Sequence, residues 1–91
     1  MKPVILIQYC PKCNWLLRSA WMAQEILSTF VDEIEQVALS PSETPGLFVI
    51  MINNEILWES KVDGGFPDEK TLKQSIRDRI APTRDLGHLD K

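Results

Sequence analysis

The run Val4-Ile5-Leu6-Ile7, leading through Gln8-Tyr9 straight into Cys10-Pro11-Lys12-Cys13, constrains this chain more than any other feature. Four of the five residues from Val4 to Gln8 are apolar and three are β-branched. That pattern suits a strand covered on both faces, and therefore a central one. Pro11 fixes φ and fits the first turn of a helix, where its missing N–H costs nothing. From about Asn14 to Val31 the period becomes helical. Leu16, Ala20, Ala23, Ile26, Leu27 and Phe30 share one arc, and Asn14, Arg18, Glu25, Ser28 and Asp32 the opposite one. A chain of 91 residues has room for one domain with a single modest core around such a strand–helix start.

The rest of the chain supplies further strands and a second helix. Ile34 to Leu39 reads as a strand, with Val37 and Leu39 at period two, parallel to the first because a helix crosses between them. Ser40 to Gly46 is a loop by composition. Leu47 to Ile52 is a second strongly apolar run, and Asn53-Asn54 tolerate the positive φ of a tight turn into Glu55–Lys61. Asp63-Gly64-Gly65-Phe66-Pro67 is a turn rather than a phosphate-cradling loop, since no full nucleotide motif surrounds it. Asp68 is placed to cap a helix running to about Ile80, with Leu72, Ile76 and Ile80 inward and Lys73, Asp78 and Arg79 facing water. Pro82 stops that helix. The order β-α-β-β-β-α predicts an α/β, thioredoxin-like fold with a four-stranded mixed sheet, one domain over residues 1–82 and a polar C-terminal tail over 83–91.

Charge and cysteine usage exclude several classes. Ten basic and thirteen acidic residues give a net charge of −3, which argues against a nucleic-acid surface. No apolar run has the length of a membrane span, and the first residues lack the pattern of a signal peptide, so a cytoplasmic protein is expected. The two cysteines, Cys10 and Cys13, are too few for a secreted disulfide scaffold. With His88 as the sole histidine, they are too few for a closed zinc site within one chain.

What remains is the chemistry of a CxxC pair at a strand–helix junction, whose spacing lets two thiols close a disulfide ring and reopen it. Attack on a disulfide requires a thiolate. Unsatisfied N–H groups and the dipole at the start of the first helix are the expected source of stabilisation. Lys12 adds a positive charge between the two sulfurs, and Pro11 stiffens the turn. Ordinary strand–helix geometry exposes the first sulfur and shields the second, favouring Cys10 as the attacking thiol.

The motif and its flanks, Tyr9-Cys10-Pro11-Lys12-Cys13-Asn14-Trp15-Leu16-Leu17-Arg18-Ser19-Ala20-Trp21-Met22-Ala23-Gln24-Glu25, resemble the opening of the selenoprotein W-like (Rdx, SelT/SelW/SelH) family in its bacterial, cysteine-containing branch. Gly46-Leu47-Phe48-Val49, Asp63-Gly64-Gly65-Phe66-Pro67 and Arg84-Asp85-Leu86-Gly87-His88 extend the resemblance over nearly the whole chain. The resemblance implies a thioredoxin-like fold and a thiol–disulfide oxidoreductase or redox carrier. It further implies a thiol or disulfide substrate, a protein among the candidates, with glutathione as a candidate co-substrate and no resident cofactor. Selenium-containing relatives carry selenocysteine at the position of Cys13, which implies the opposite assignment, Cys13 attacking and Cys10 resolving.

Other residues carry weaker signals. Trp21 projects from the polar arc of the first helix, and the C-terminal tail is expected to fold over it. A partner surface is the alternative. Trp15 and Trp58 are expected to pack, and His88 to be solvated or packed within the tail. Thr44-Pro45 precedes a strand, where thioredoxins and glutaredoxins place a cis proline, but the general preference for trans keeps Pro45 outside the catalytic set. Three competing readings stand beside the leading one. A glutaredoxin shares Cys-Pro-x-Cys, yet Ser40 to Pro45 is too short for the helix usual there. Copper-type trafficking proteins also place CxxC after a first strand, with a Met where Gln8 stands here. A non-catalytic thioredoxin-like interaction module would bind through Trp21 and the tail.

Overall fold

A computed structural model describes residues 1–90; Lys91, the end of the predicted tail, lies outside them. The strands are β1 (Val4–Tyr9), β2 (Gln36–Pro41), β3 (Phe48–Ile52) and β4 (Glu55–Glu59). The helices are α1 (Leu16–Thr29), α2 (Ser60–Asp63) and α3 (Glu69–Ile80), with 3-10 turns at Pro11–Cys13 and Gly87–Asp90. The sheet has the order β2-β1-β3-β4, with β1 parallel to β2 and antiparallel to β3. The mixed sheet with a central first strand is as the apolar runs predict.

Ile5, Ile7 and Tyr9 point to one face of β1, opposite Ile52, Ile50 and Phe48 of β3. Met22, Ala23 and Ile26 of α1, Phe30 at its C-cap, and Leu72 and Ile76 of α3 cover them, forming one core. Val4, Leu6 and Gln8 on the other face are only part-buried. Thus β1 is covered by helices on one side, and the expectation of two covered faces is corrected: both long helices pack into the same core.

The inward stripe of α1 is also rotated from the predicted arc. Ser19, Met22, Ala23, Ile26 and Phe30 are buried, while Leu16 and Leu27 are 50% and 42% exposed. The buried set has the spacing i, i+3, i+4, i+7, i+11, a tighter match to one helix face than the predicted set. Lys73, expected in water, is 6% exposed. It lies at the seam between α1 and α3, where its ammonium meets Glu25 at 2.9 Å and Glu69 at 2.8 Å. Burial opposes its charge, but the hydrogen bonds to the two carboxylates outweigh it and raise its pKa. Asp68 caps α3 as expected, its carboxylate accepting the Thr71 N–H at 2.7 Å.

Two boundaries move. β2 begins at Gln36 and runs to Pro41, which an edge strand tolerates because its outer N–H needs no partner. β4 ends at Glu59, where the chain turns into α2. The Glu59 N–H is donated to Asp63 at 2.8 Å, and Gly64, at φ 89°, closes the turn. The segment after Pro82 docks on α3 instead of covering Trp21. Arg77 donates to Asp90 at 2.7 Å, Gln74 to the Leu89 carbonyl at 2.7 Å, and Arg84 to Glu33 at 2.7 Å. Trp21 stays 43% exposed, which corrects the expected cover. Trp15 packs edge-on to Phe66 with centroids 5.0 Å apart, and the Trp58 indole donates to the Gly65 carbonyl at 2.8 Å. His88 is exposed.

Candidate active site

The cysteines sit at the end of β1, on a turn of their own. The Cys13 N–H reaches the Cys10 carbonyl and the Asn14 N–H the Pro11 carbonyl, both at 3.3 Å. Asn14 then adopts a left-handed conformation, φ 60°, ψ 36°, which asparagine tolerates better than most residues. That residue separates the turn from α1, whose first residue is Leu16. The helix expected to start beneath the motif thus starts after it, and Pro11 opens a 3-10 turn rather than α1.

Both cysteines are free thiols, with Sγ atoms 2.7 Å apart. Cys10 is 2% exposed and Cys13 part-exposed. This reverses the expectation that the first sulfur is the open one. Cys10, the residue that follows β1, is enclosed, whereas Cys13 closes the turn and stays partly open to solvent. The two protonation equilibria are linked. The Cys10 thiol lies below its ordinary value, first because the Cys13 S–H is donated to it, and further because the Gly46 N–H faces it; burial pushes back against this. Donors from the N–H groups of Cys13 and Lys12 assist. Cys13 is raised, first by the hydrogen bond to Cys10 and then by burial, while the Gly46 N–H again pulls down. Such a pair titrates as a unit, with one proton held between the two sulfurs once the first has left.

Gly46 is the residue that sequence reasoning missed. It follows Thr44-Pro45, in a loop that the Leu47 N–H and Thr44 carbonyl close at 3.3 Å, and its φ is +73°. An added Cβ would meet nothing nearer than Lys61 Cε at 3.9 Å, so conformation rather than room calls for glycine. A glycine after a proline marks a turn in any sequence. That its N–H lowers the proton affinity of both sulfurs has no local signal. The Thr44–Pro45 bond is trans, since no cis peptide occurs among the described residues.

Of the other predicted site residues, Pro11 and Lys12 are exposed on the turn itself. Together with Cys10, Ser42, Glu43 and Pro45 they line a hollow of about 260 Å³. Trp21 lies farther along α1 and does not line it. Among the described residues no third His, Cys, Asp or Glu joins the cysteines in a metal-holding group, so two thiolates are the ligands this turn offers. No helix of the described residues is long and apolar enough to cross a membrane.

This geometry has close counterparts. A protein from Bordetella parapertussis of known crystal structure is 55% identical, with a TM-score of 0.85 over 88% of this chain and 100% of that one. The crystal structure of a selenoprotein W-related protein from Vibrio cholerae is 55% identical, with a TM-score of 0.83 over 88% of this chain and 99% of that one. Comparison with curated proteins gives no match. The model of the Rdx family matches residues 4–78, from the first residue of β1 into the last turn of α3. By sequence, by fold and by the cysteine pair at the end of its central strand, the chain belongs to the Rdx family.

Proposed function

We propose that the protein is a thiol–disulfide oxidoreductase or redox carrier that cycles Cys10 and Cys13 between dithiol and disulfide. The observation that carries this reading is the pair of free sulfurs at 2.7 Å, close to the roughly 2.05 Å of a disulfide bond. A backbone donor at Gly46 serves both.

Cys13 is the sulfur that meets the substrate, because Cys10 is enclosed. The single proton of the pair passes along the sulfur–sulfur contact to Cys10 as Cys13 takes up the negative charge. Cys13 Sγ attacks a substrate disulfide, a mixed disulfide forms, and the first substrate thiolate departs with the electron pair of the broken bond. Cys10 then loses its proton, favoured by the Gly46, Cys13 and Lys12 N–H groups, and attacks Cys13 Sγ. The second substrate thiol is released and a Cys10–Cys13 disulfide remains. The net change is two electrons and two protons to the substrate, and two molecules of glutathione, leaving as its disulfide, or one dithiol must supply the same to reopen the Cys10–Cys13 bond. Glutathione fits this scheme as co-substrate in the cytoplasm, and no resident cofactor is needed.

A thiol-trapping titration against glutathione buffers tests this reading, with alkylation and mass spectrometry of wild type, Cys10→Ser and Cys13→Ser. The wild type should lose two electrons reversibly, and Cys10→Ser should accumulate a glutathione adduct on Cys13. If both thiols stay reduced across the range, the reading fails. If the adduct builds on Cys10 in Cys13→Ser instead, the order of the two sulfurs is reversed.

A further inference from the structure

Past Cys13 the outer side of α1 stays apolar where a solvated helix face is ordinarily polar. Leu17 is 84% exposed, Leu16 50% and Trp21 43%, and Trp21 follows Leu17 by one turn on the same face. Leu16 and Leu17 also line, with Tyr9, Pro11 and Asn14, a hollow of about 270 Å³. The hollow beside Cys10 lies across the same turn, and Pro11 borders both.

Charge sets this strip apart from the rest of the chain. The net charge is −3, yet the first 24 residues contain no Asp or Glu. Lys12 and Arg18 are exposed beside the cysteines, and neither is ion-paired among the described residues. The Arg18 guanidinium lies 4.3 Å over the Phe66 ring, which fixes its position. Of the residues lining the two hollows, Glu43 alone is acidic.

We propose that this apolar and cationic strip, Pro11, Leu16, Leu17 and Trp21 with Lys12 and Arg18, seats an extended, cysteine-bearing segment of a protein substrate whose flanking side chains are apolar and acidic. The proposal rests on the dithiol reading above. A sulfur attacked by Cys13 must lie against the turn, so the residues on either side of it fall over the two hollows. Trp21 lies on the order of 10 Å farther along α1, a span that an extended chain covers in about three or four residues and a small disulfide does not. The segment enters as a disulfide with an outer thiol. Cys13 Sγ bonds to the segment's sulfur, the original S–S bond breaks, and the outer thiol leaves as thiolate with the electron pair. Cys10 Sγ then displaces the segment's thiolate from Cys13, and the protein keeps the disulfide.

Three probes, each a mixed disulfide with thionitrobenzoate, test the seat on the full chain in its reduced form: a short peptide with one cysteine among Leu, Phe and Glu, the same peptide with Ser and Lys in their place, and mercaptoethanol. Release of thionitrobenzoate is followed by absorbance. The acidic, apolar peptide should react about tenfold faster than the mercaptoethanol probe, and the combined Leu17→Ser and Trp21→Ser variant should erase most of that ratio. The Lys12→Glu, Arg18→Glu variant should reverse the preference between the two peptides. Leu27→Ser, an exposed leucine near the far end of α1, should leave every rate unchanged. Equal rates for all three probes, or a ratio insensitive to Leu17 and Trp21, overturns the seat alone. If no probe releases thionitrobenzoate from the wild type, the dithiol reading falls and the seat falls with it.

Discussion

The turn that carries Cys10 and Cys13 leads into α1, and the seam with α3 lies along that same helix, but the two are fastened by different means. At the seam, side chains do the fastening. Lys73 is held between Glu25 and Glu69, Arg77 holds Asp90, and Arg84 reaches Glu33 while lying over the Phe30 ring. At the turn, backbone dominates: two 3.3 Å hydrogen bonds, a left-handed Asn14, and Gly46 at φ +73° facing the sulfurs. Charged side chains bring stability that responds to pH. Peptide N–H groups do not titrate, so at the turn the sulfur–sulfur hydrogen bond, the largest influence on the Cys10 proton, changes with pH while the backbone donors beside it do not.

The largest test of that contrast is Phe30→Ala. Phe30 is fully buried at the α1 end of the core, and its loss should cost about 3–5 kcal/mol in urea denaturation. A loss of about 1 kcal/mol or less would show that the core does not centre on the α1 side. Next in size is Glu25→Ala, which leaves the buried Lys73 ammonium with one carboxylate and should cost about 2 kcal/mol.

The pH dependence at this seam has a definite sign. The Lys73 pKa is raised above 10.5, so its contribution is fully present below 10.5 and is lost as pH rises through the raised value. The Glu69 carboxyl is lowered from 4.5, first by its hydrogen bond from Lys73, so its contribution is present above 4.5 and lost as pH falls through the lowered value. Urea midpoints of wild type and Lys73→Met should therefore differ by a constant amount across neutral pH and converge at both extremes. A difference that changes between pH 6 and 8 would contradict the assignment.

At the turn, Gly46→Ala should cost about 1 kcal/mol for the left-handed conformation alone, since space is available. Its more telling effect is on the sulfurs. The N–H moves off target, and the pH midpoint of thiol alkylation should rise relative to wild type. An unchanged midpoint would mean that the Cys13 donor alone sets the Cys10 proton affinity. The smallest effect belongs to Asp68→Ala, which removes the exposed cap of α3. The Asp68 carboxyl is lowered chiefly by the Thr71 N–H, so its contribution is present above 3.8 and lost as pH falls through the lowered value. Wild type and variant should approach one another in thermal melts below that range.

Much of this architecture was legible from period and punctuation. Ile5, Ile7, Ile50 and Ile52 are strand residues by their neighbours, Asn53-Asn54 turn the hairpin at φ 49° and 70°, and Asp68 caps the helix its position foretells. The candidate site was legible in its two sulfurs and in the turn that joins them. Which way a side chain faces was not legible in the same way. Lys73 reads as a surface lysine because its own helix offers it water, and α1 takes that water away. Leu16 and Leu27 read as core because they are leucines at helical spacing, yet a left-handed Asn14 and the packing of Met22 and Ile26 turn them outward. Trp21 reads as a residue the tail covers, yet the tail, held on α3 by Asp90, leaves it exposed.

Propensity, hydrophobic period and turn chemistry act over a few neighbouring residues, and they suffice for the elements, the central place of β1 and the two thiols three residues apart. Which thiol is enclosed, which backbone N–H lowers its proton affinity and which lysine is buried are fixed in three dimensions. Each of those depends on what another segment brings alongside: Gly46 from the loop before β3, Glu25 from α1, Asp90 from the end of the chain. Contacts between residues a dozen or more apart are set by packing the whole core, and no local pattern records them.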